Sequence, residues 1–167
     1  MELPASTQRL VFRHITLEHA DVLEELFSDR QVMKFYPRPW TRDEVLQRIR
    51  KNQEHYDEHG FGHWAVYTVE DEFVGECGLA QIAIAGAEHI EVSYHLRTLM
   101  QGRGYATEAA SACAEHLAKI AGQDPIAVVY PQNAASEKVA QKIGLRQRTE
   151  AKDSKGNPFN IFSRTAL

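Results

Sequence analysis

The stretch 101-QGRGYATEAA-110 decides how this chain is read. Two glycines flank Arg103, and a run of small, helix-favouring residues follows at once. A glycine turn that feeds a helix is an anion site by construction. The first helical N–H groups have no partner within the helix and carry partial positive charge. Glycine removes the side chains that would hold a phosphate away, and Arg103 adds a formal charge beside the turn. For a glycine pair alone, a tight turn before a core helix is the plainer account.

The flanking segments give the turn its setting. Upstream, HIEVSYHL (residues 89–96) alternates like a strand. Ile90, Val92, Tyr94 and Leu96 share one face; Glu91, Ser93 and His95 share the other. GHWAVYTV (62–69) and FVGECGLAQI (73–82) flank a short acidic turn and predict a hairpin. RLVFRHI (9–15) reads as a half-buried strand. Thr16 then predicts the cap of a helix to about Asp29, with Leu17, Leu23, Leu26 and Phe27 mostly on one face. YPRPW (36–40) breaks the chain. Thr41 and Glu44 form a capping box for a second helix through about Glu58, stopped by Gly60.

Downstream, YATEAASACAEHLAKIAG predicts an alanine-rich helix and PIAVVYP (125–131) a buried strand. NAASEKVAQKIG predicts a helix capped by Asn133 and ended by Gly144 in a left-handed conformation. Two last strands, near 146–151 and 159–164, flank the turn DSKGNP. Hairpins mixed with crossovers predict a mixed sheet with helices packed on it, an α/β or α+β layered domain.

The chain has 167 residues, 43% hydrophobic and 25% charged, enough for one domain with its own core. A formal charge of −4 argues against bulk nucleic-acid binding, which needs a basic face. No apolar run approaches the ~20 residues of a membrane span, and no secretory signal is visible. Cys77 and Cys113 sit in apolar segments without metal-site spacing. They predict buried, reduced thiols in a cytoplasmic protein. His55 and His59 are one helical turn apart, but no third ligand accompanies them, so no metal is expected.

The glycine turn is not a Walker loop, since no G-K-[ST] follows. It is a poor dinucleotide fingerprint, because Thr107 stands where a third glycine or alanine belongs. Gln101-Gly102-Arg103-Gly104-Tyr105-Ala106 instead resembles Q/R-x-x-G-x-G/A, the pyrophosphate signature of the GCN5-related N-acetyltransferases (GNAT). IEVSYHLRTLMQGRGYATEAA and NAASEKVAQKIGLR resemble the RimJ/RimL-like branch. The opening TQRLVFRHITLEHADVLEEL and the hairpin WAVYTVEDEFVGECGL resemble the same branch, in the same order.

The resemblance implies one N-acetyltransferase domain over residues 1–167. It implies the GNAT fold: a mixed, mostly antiparallel sheet of about seven strands, splayed between strands 4 and 5, with about four helices on its faces. It implies acetyl-CoA as acyl donor, without a metal. The acceptor is a primary amine on a protein N-terminus, amino acid, polyamine or other small molecule. The acetyl group passes by direct attack in a ternary complex. Backbone amides of Gln101, Gly102, Arg103, Gly104, Tyr105 and Ala106 are the expected pyrophosphate site, with Arg103 either a phosphate contact or a solvated side chain. The backbone of Val92, Tyr94 and Leu96 is expected beside the pantetheine arm, as in strand addition. Asn133 is expected to face the coenzyme.

Glu91 is the candidate general base and Ser136 the candidate hydrogen-bond donor to the leaving sulfur. Ala140 stands where many relatives carry a tyrosine that serves as the acid. Tyr94 and Tyr105 fall on apolar faces and are expected to pack. Tyr36, Trp40 and His95 are candidate acceptor-site residues. A non-catalytic acyl-CoA-binding or sensing module of the same fold is the alternative, and a nucleotide hydrolase a more distant one. A monomer or homodimer is expected, with no nucleic-acid or membrane partner.

Overall fold

A computed structural model of the chain describes residues 2–153 and 155–166. Strands β1 (Leu10–His14), β2 (His63–Thr68), β3 (Phe73–Ile84) and β4 (Ala87–Leu96) form an antiparallel sheet in that order. A second antiparallel sheet has the order β5 (Ala127–Val129), β7 (Pro158–Ser163), β6 (Arg146–Lys152). The two meet at one parallel contact. Val92 N–H donates to the Ile126 carbonyl at 2.9 Å, and Ile126 N–H to the Ile90 carbonyl at 2.8 Å. Beyond it β4 and β5 pair no further, so the expected splay divides the strands into a group of four and a group of three.

The helices cover both faces. Helix α3 (Tyr105–Ala121) lies on β3 and β4. Its Ala109, Ala110, Cys113 and Leu117 pack with Trp64, Leu79, Val92 and Leu96 in the main core. Alanines at the contact let helix and sheet approach closely, and each large apolar side chain buried there contributes about 1.5–3 kcal/mol. Helices α1 (Ala20–Ser28) and α2 (Arg42–His59) build a second cluster with Leu23, Phe27, Val45 and Ile49 against Ala65 and Phe73. Helix α4 (Ala134–Lys142) packs beside α3 and β5.

Local chemistry explains most boundaries. Thr41 and Glu44 cap α2 reciprocally, and Gly60 ends it at φ +73°. Asn133 caps α4 by accepting from Ser136 N–H, and Gly144 follows its end at φ +87°. Thr16 caps a single 3-10 turn, Leu17–His19, before α1 begins. The tighter turn moves Leu17 off the apolar stripe, so it is 52% exposed instead of packing with Leu23 and Phe27. The expected 125–131 strand shortens to Ala127–Val129, the part that finds β7. Strands β3 and β4 run past their expected ends to a two-residue turn, Ala85 and Gly86, both at positive φ. The expected turn near 153–158 includes Ser154, which lies outside the described residues.

Cys77 and Cys113 are buried free thiols, the Cys113 Sγ–H donating to Cys77 Sγ at 3.6 Å. Among the described residues, no helix is long and apolar enough to cross a membrane.

Candidate active site

The mouth of α3 is the turn identified in the sequence. Gly102 (φ +75°) and Gly104 (φ +84°) both adopt left-handed backbone, which L side chains resist. Gly104 occupies the N-cap position, with no side chain to satisfy the helix amides. The bond from Glu108 N–H to the Gly104 carbonyl, 3.1 Å, starts the helical ladder, which leaves the amides before it for a ligand. A Cβ on Gly102 would meet nothing within 4 Å, so the turn opens outward. Two contacts hold its shape. Gln101 Nε2 donates to the Leu96 carbonyl at 3.0 Å, and Arg9 Nη1 donates to the Arg103 carbonyl at 3.0 Å.

A cleft of about 990 Å³ leads from this mouth into the splay. In an antiparallel strand, successive residues turn their N–H and C=O to opposite sides. Ile90 and Val92 bond Ile126, so Tyr94 and Leu96 also direct their backbone groups toward the β5 side. There β5 has already turned away, which leaves a strand edge open along the cleft. Val92, Tyr94, Leu96, Gln101, Gly102, Gly104, Tyr105, Ala106, Asn133 and Ser136 all line the cleft. The exposed Arg103 side chain lies outside its wall.

Inside the splay, the Tyr94 hydroxyl donates to the Ser136 carbonyl at 3.1 Å and lies 2.9 Å from Ser136 Oγ. Burial holds the Tyr94 phenol above its usual range, so it stays protonated near neutrality. Ala140 is fully buried in the core. The phenol that reaches Ser136 of α4 thus comes from β4. The Tyr94 ring packs on the main core, as expected, but its hydroxyl does not end there.

The opposite face of β4 carries Glu91, Ser93 and His95. Glu91 sits at the vertex of the splay, between the two residues that bond Ile126. Removal from water pushes its carboxyl up to about 7, with the Val128 N–H and Arg48 opposing only in part. His63 Nε2 lies 2.7 Å from Ser93 Oγ, and burial followed by the Arg48 charge pushes this imidazole down to about 3, so it is neutral. His95 stands opposite Glu76 in the β3–β4 register. Its Nδ1 is 3.1 Å from Glu76 Oε1, and its Nε2 is 2.7 Å from the Tyr36 hydroxyl. A carboxylate accepts only, so Nδ1 carries the hydrogen that Glu76 accepts, and Nε2 faces the Tyr36 hydroxyl.

The family model for the acetyltransferase (GNAT) domain matches residues 9–146. The chain belongs to the GNAT acetyltransferase family. Transfer of an acetyl group from an acyl-CoA is the general reaction that this membership brings. A Bacillus subtilis protein called YkkB is 29% identical over 155 residues, covering 88% of this chain and 86% of its own. A GNAT-family acetyltransferase from Bordetella pertussis has the same fold, with a TM-score of 0.82, 23% identity and coverage of 98% and 100%. RimL, the ribosomal L7/L12 α-N-protein acetyltransferase solved with coenzyme A, also shares it, with a TM-score of 0.80, 16% identity and coverage of 99% and 98%. At these identities the two structures speak to the fold alone.

On this GNAT fold, two expected positions need correction. Trp40 does not line the cleft: it stacks on Phe27, with ring centroids 4.6 Å apart, and stands behind Tyr36. The second is the Gln101 amide, which donates to the Thr98 carbonyl at 3.3 Å, so the free amides of the turn begin at Gly102. Of the two alternatives for Arg103, its side chain takes the solvated one, and its carbonyl helps fix the loop. Glu76 and Arg48 were not singled out in the sequence. Glu76 is 1% exposed, paired with the Arg48 guanidinium and bonded to His95. Burial alone would raise its carboxyl, but Arg48, His63 and His95 together hold it well below the usual carboxylate range. A glutamate inside the apolar string FVGECGL was the available signal. Among the described residues, no group of three or more His, Cys, Asp and Glu side chains is arranged to hold a metal.

Proposed function

We propose that the chain is an N-acetyltransferase that passes the acetyl group of acetyl-CoA to a primary amine by direct attack in a ternary complex. One observation carries the reading: β4 parts from β5 between a glycine-turn anion site at the open end and Glu91 at the vertex. The open edge has the length and polarity for an extended amide chain, and the turn has unpaired amides for a diphosphate.

The residues divide the work. Amides of residues 102–106 bind the pyrophosphate. Val92, Tyr94 and Leu96 bind the pantetheine arm through their backbones. Asn133 holds the first turn of α4 and thereby Ser136. Glu91 takes a proton from the incoming ammonium, directly or through a water, and a carboxyl near 7 suits that task at neutral pH. The freed amine attacks the thioester carbon, the carbon–sulfur bond breaks, and the second proton lost by the nitrogen passes to the departing sulfur, which leaves as the thiol. Tyr94 and Ser136 donate hydrogen bonds to that sulfur as its charge develops. Tyr36 and His95 border the acceptor side. A cytoplasmic setting fits a coenzyme A thioester and two reduced, buried cysteines.

The test is incubation with acetyl-CoA and a panel of primary amines. The expected result is thiol release matched by a gain of ~42 Da on one amine. Tight acetyl-CoA binding without turnover on any amine favours the sensing module instead.

A further inference from the structure

The acceptor half of the cleft has a wall of its own. Ile82 and Ile84 of β3, Val128 of β5 and Phe159 of β7 line it. They form, with Ile126 and Ile161, a small apolar cluster separate from the two main cores. Ile82, Ile84 and Val128 are only half-buried, so the cluster presents apolar surface to the cleft. Tyr130 stands edge-on to Phe159 with centroids 6.5 Å apart, and Phe35 adds a third ring from the segment before α2.

Charge on this half is sparse, two lysines against two carboxylates. Lys34 and Lys152 line the cleft there, with Glu91 and Asp153 as the carboxylates. Asp153 is spent on its own turn. Its Oδ1 accepts from the N–H groups of Lys155 and Asn157 at 2.8 and 2.9 Å, and its Oδ2 from Asn157 Nδ2 at 2.9 Å. One position therefore suits an ammonium, beside Glu91. A second cation on the wall of Ile82, Ile84, Val128 and Phe159 would meet apolar surface, and a cation removed from water without a partner is strongly disfavoured.

Resting on the acetyl-transfer reading above, we infer that the acceptor is a monoamine carried on an apolar or aromatic body, and that polyamines are poor acceptors. The same chemistry is offered by a free arylalkylamine and by a peptide N-terminus with an apolar first residue.

The experiment measures kcat/KM at saturating acetyl-CoA for 2-phenylethylamine, the tripeptide Phe-Gly-Gly and spermine. Acetyl-CoA affinity is measured separately by calorimetry. At least one of the first two acceptors is expected to exceed spermine by about tenfold or more. Ile84→Asp puts a carboxylate on the wall without opening the core, and is expected to narrow or invert that ratio. Spermine matching both monoamines, an Ile84→Asp ratio equal to the parent's, or no turnover of any of the three with acetyl-CoA bound overturns the inference and leaves the coenzyme site standing. No acetyl-CoA binding removes the acetyl-transfer reading as well.

Discussion

The Arg9 guanidinium donates through Nε and Nη2 to one carboxylate oxygen of Glu108, at 2.7 and 2.5 Å. The other Glu108 oxygen accepts from Arg9 N–H at 3.1 Å and from the Thr7 hydroxyl at 2.5 Å. Arg9 also holds the Arg103 carbonyl and lies over the Tyr105 ring, 4.6 Å from its centroid. One side chain thus braces the glycine turn on both sides of Gly104. It also neutralises a carboxylate in the first turn of α3, where a pyrophosphate would otherwise meet a negative charge.

Arg9→Ala should therefore weaken acetyl-CoA binding about tenfold and leave the acceptor KM unchanged. Arg9→Lys restores the charge but not the fork, and should recover only part of the loss. Calorimetry with acetyl-CoA, beside KM for each substrate, checks this. A lowered Tm with unchanged coenzyme affinity would assign Arg9 to stability alone.

Gly104→Val tests the cradle. The residue has φ +84°, and a Cβ there would stand 3.4 Å from Arg9 Nη2. A β-branched side chain at that backbone costs about 1–3 kcal/mol in strain and forces the turn to change. Acetyl-CoA affinity should fall by at least about tenfold while the far-ultraviolet circular dichroism stays that of the parent. Unchanged affinity contradicts the proposed anion site.

Tyr94→Phe removes the hydroxyl that meets Ser136. A donor that acts on charge developing at sulfur is lost from kcat, with little effect on acetyl-CoA affinity, so kcat should fall about tenfold or more. Ser136→Ala should act in the same direction. Because the two hydroxyls touch, the double variant should lose less than the product of the single losses. Steady-state thiol release from all three variants measures this.

Much of the frame was legible because local rules and tertiary packing agree. Thr41, Glu44 and Gly60 set the limits of α2, and Asn133 begins α4, each by bonds within a few residues. The glycine turn was legible for the same reason. Leu17 was misread because a one-turn 3-10 start rotates the helix face, and apolar periodicity does not encode that rotation. The Glu76–His95 pair depends on cross-strand register, and Arg48 reaches it from a separate helix. The Tyr94 hydroxyl finds Ser136 through an encounter of β4 with α4 that neither segment announces.

Glu76→Gln should unfold the protein more easily. It keeps the shape but leaves the Arg48 guanidinium without its counter-charge beside a buried imidazole. Breaking a buried pair in this way costs about 3–5 kcal/mol. The pH dependence separates charge from shape. The Glu76 carboxyl lies well below its ordinary value of 4.5 in the folded protein, so its contribution is present above that pH and fades as acid protonates it. Urea denaturation at pH 7 and at pH 3–4 should show the gap between parent and variant narrowing on the acid side.

Glu91 gives the opposite sign, and kinetics and stability must agree on it. Its folded carboxyl is raised from 4.5 to about 7, so the folded state binds a proton more tightly than the unfolded chain between those values. Stability assigned to Glu91 is therefore full below 4.5 and lost as pH rises through 7, because the folded protein must then hold the charge away from water. Glu91→Gln should melt at a higher temperature than the parent at pH 8 and at nearly the same temperature at pH 4. Activity runs the other way. A base works deprotonated, so the parent's kcat/KM should rise with pH through about 7, on a limb that the glutamine variant lacks. Its turnover at pH 8 should be lower by about 10²–10⁴-fold with acetyl-CoA affinity retained. A variant with the parent's pH–rate profile would take the proton-accepting role away from Glu91.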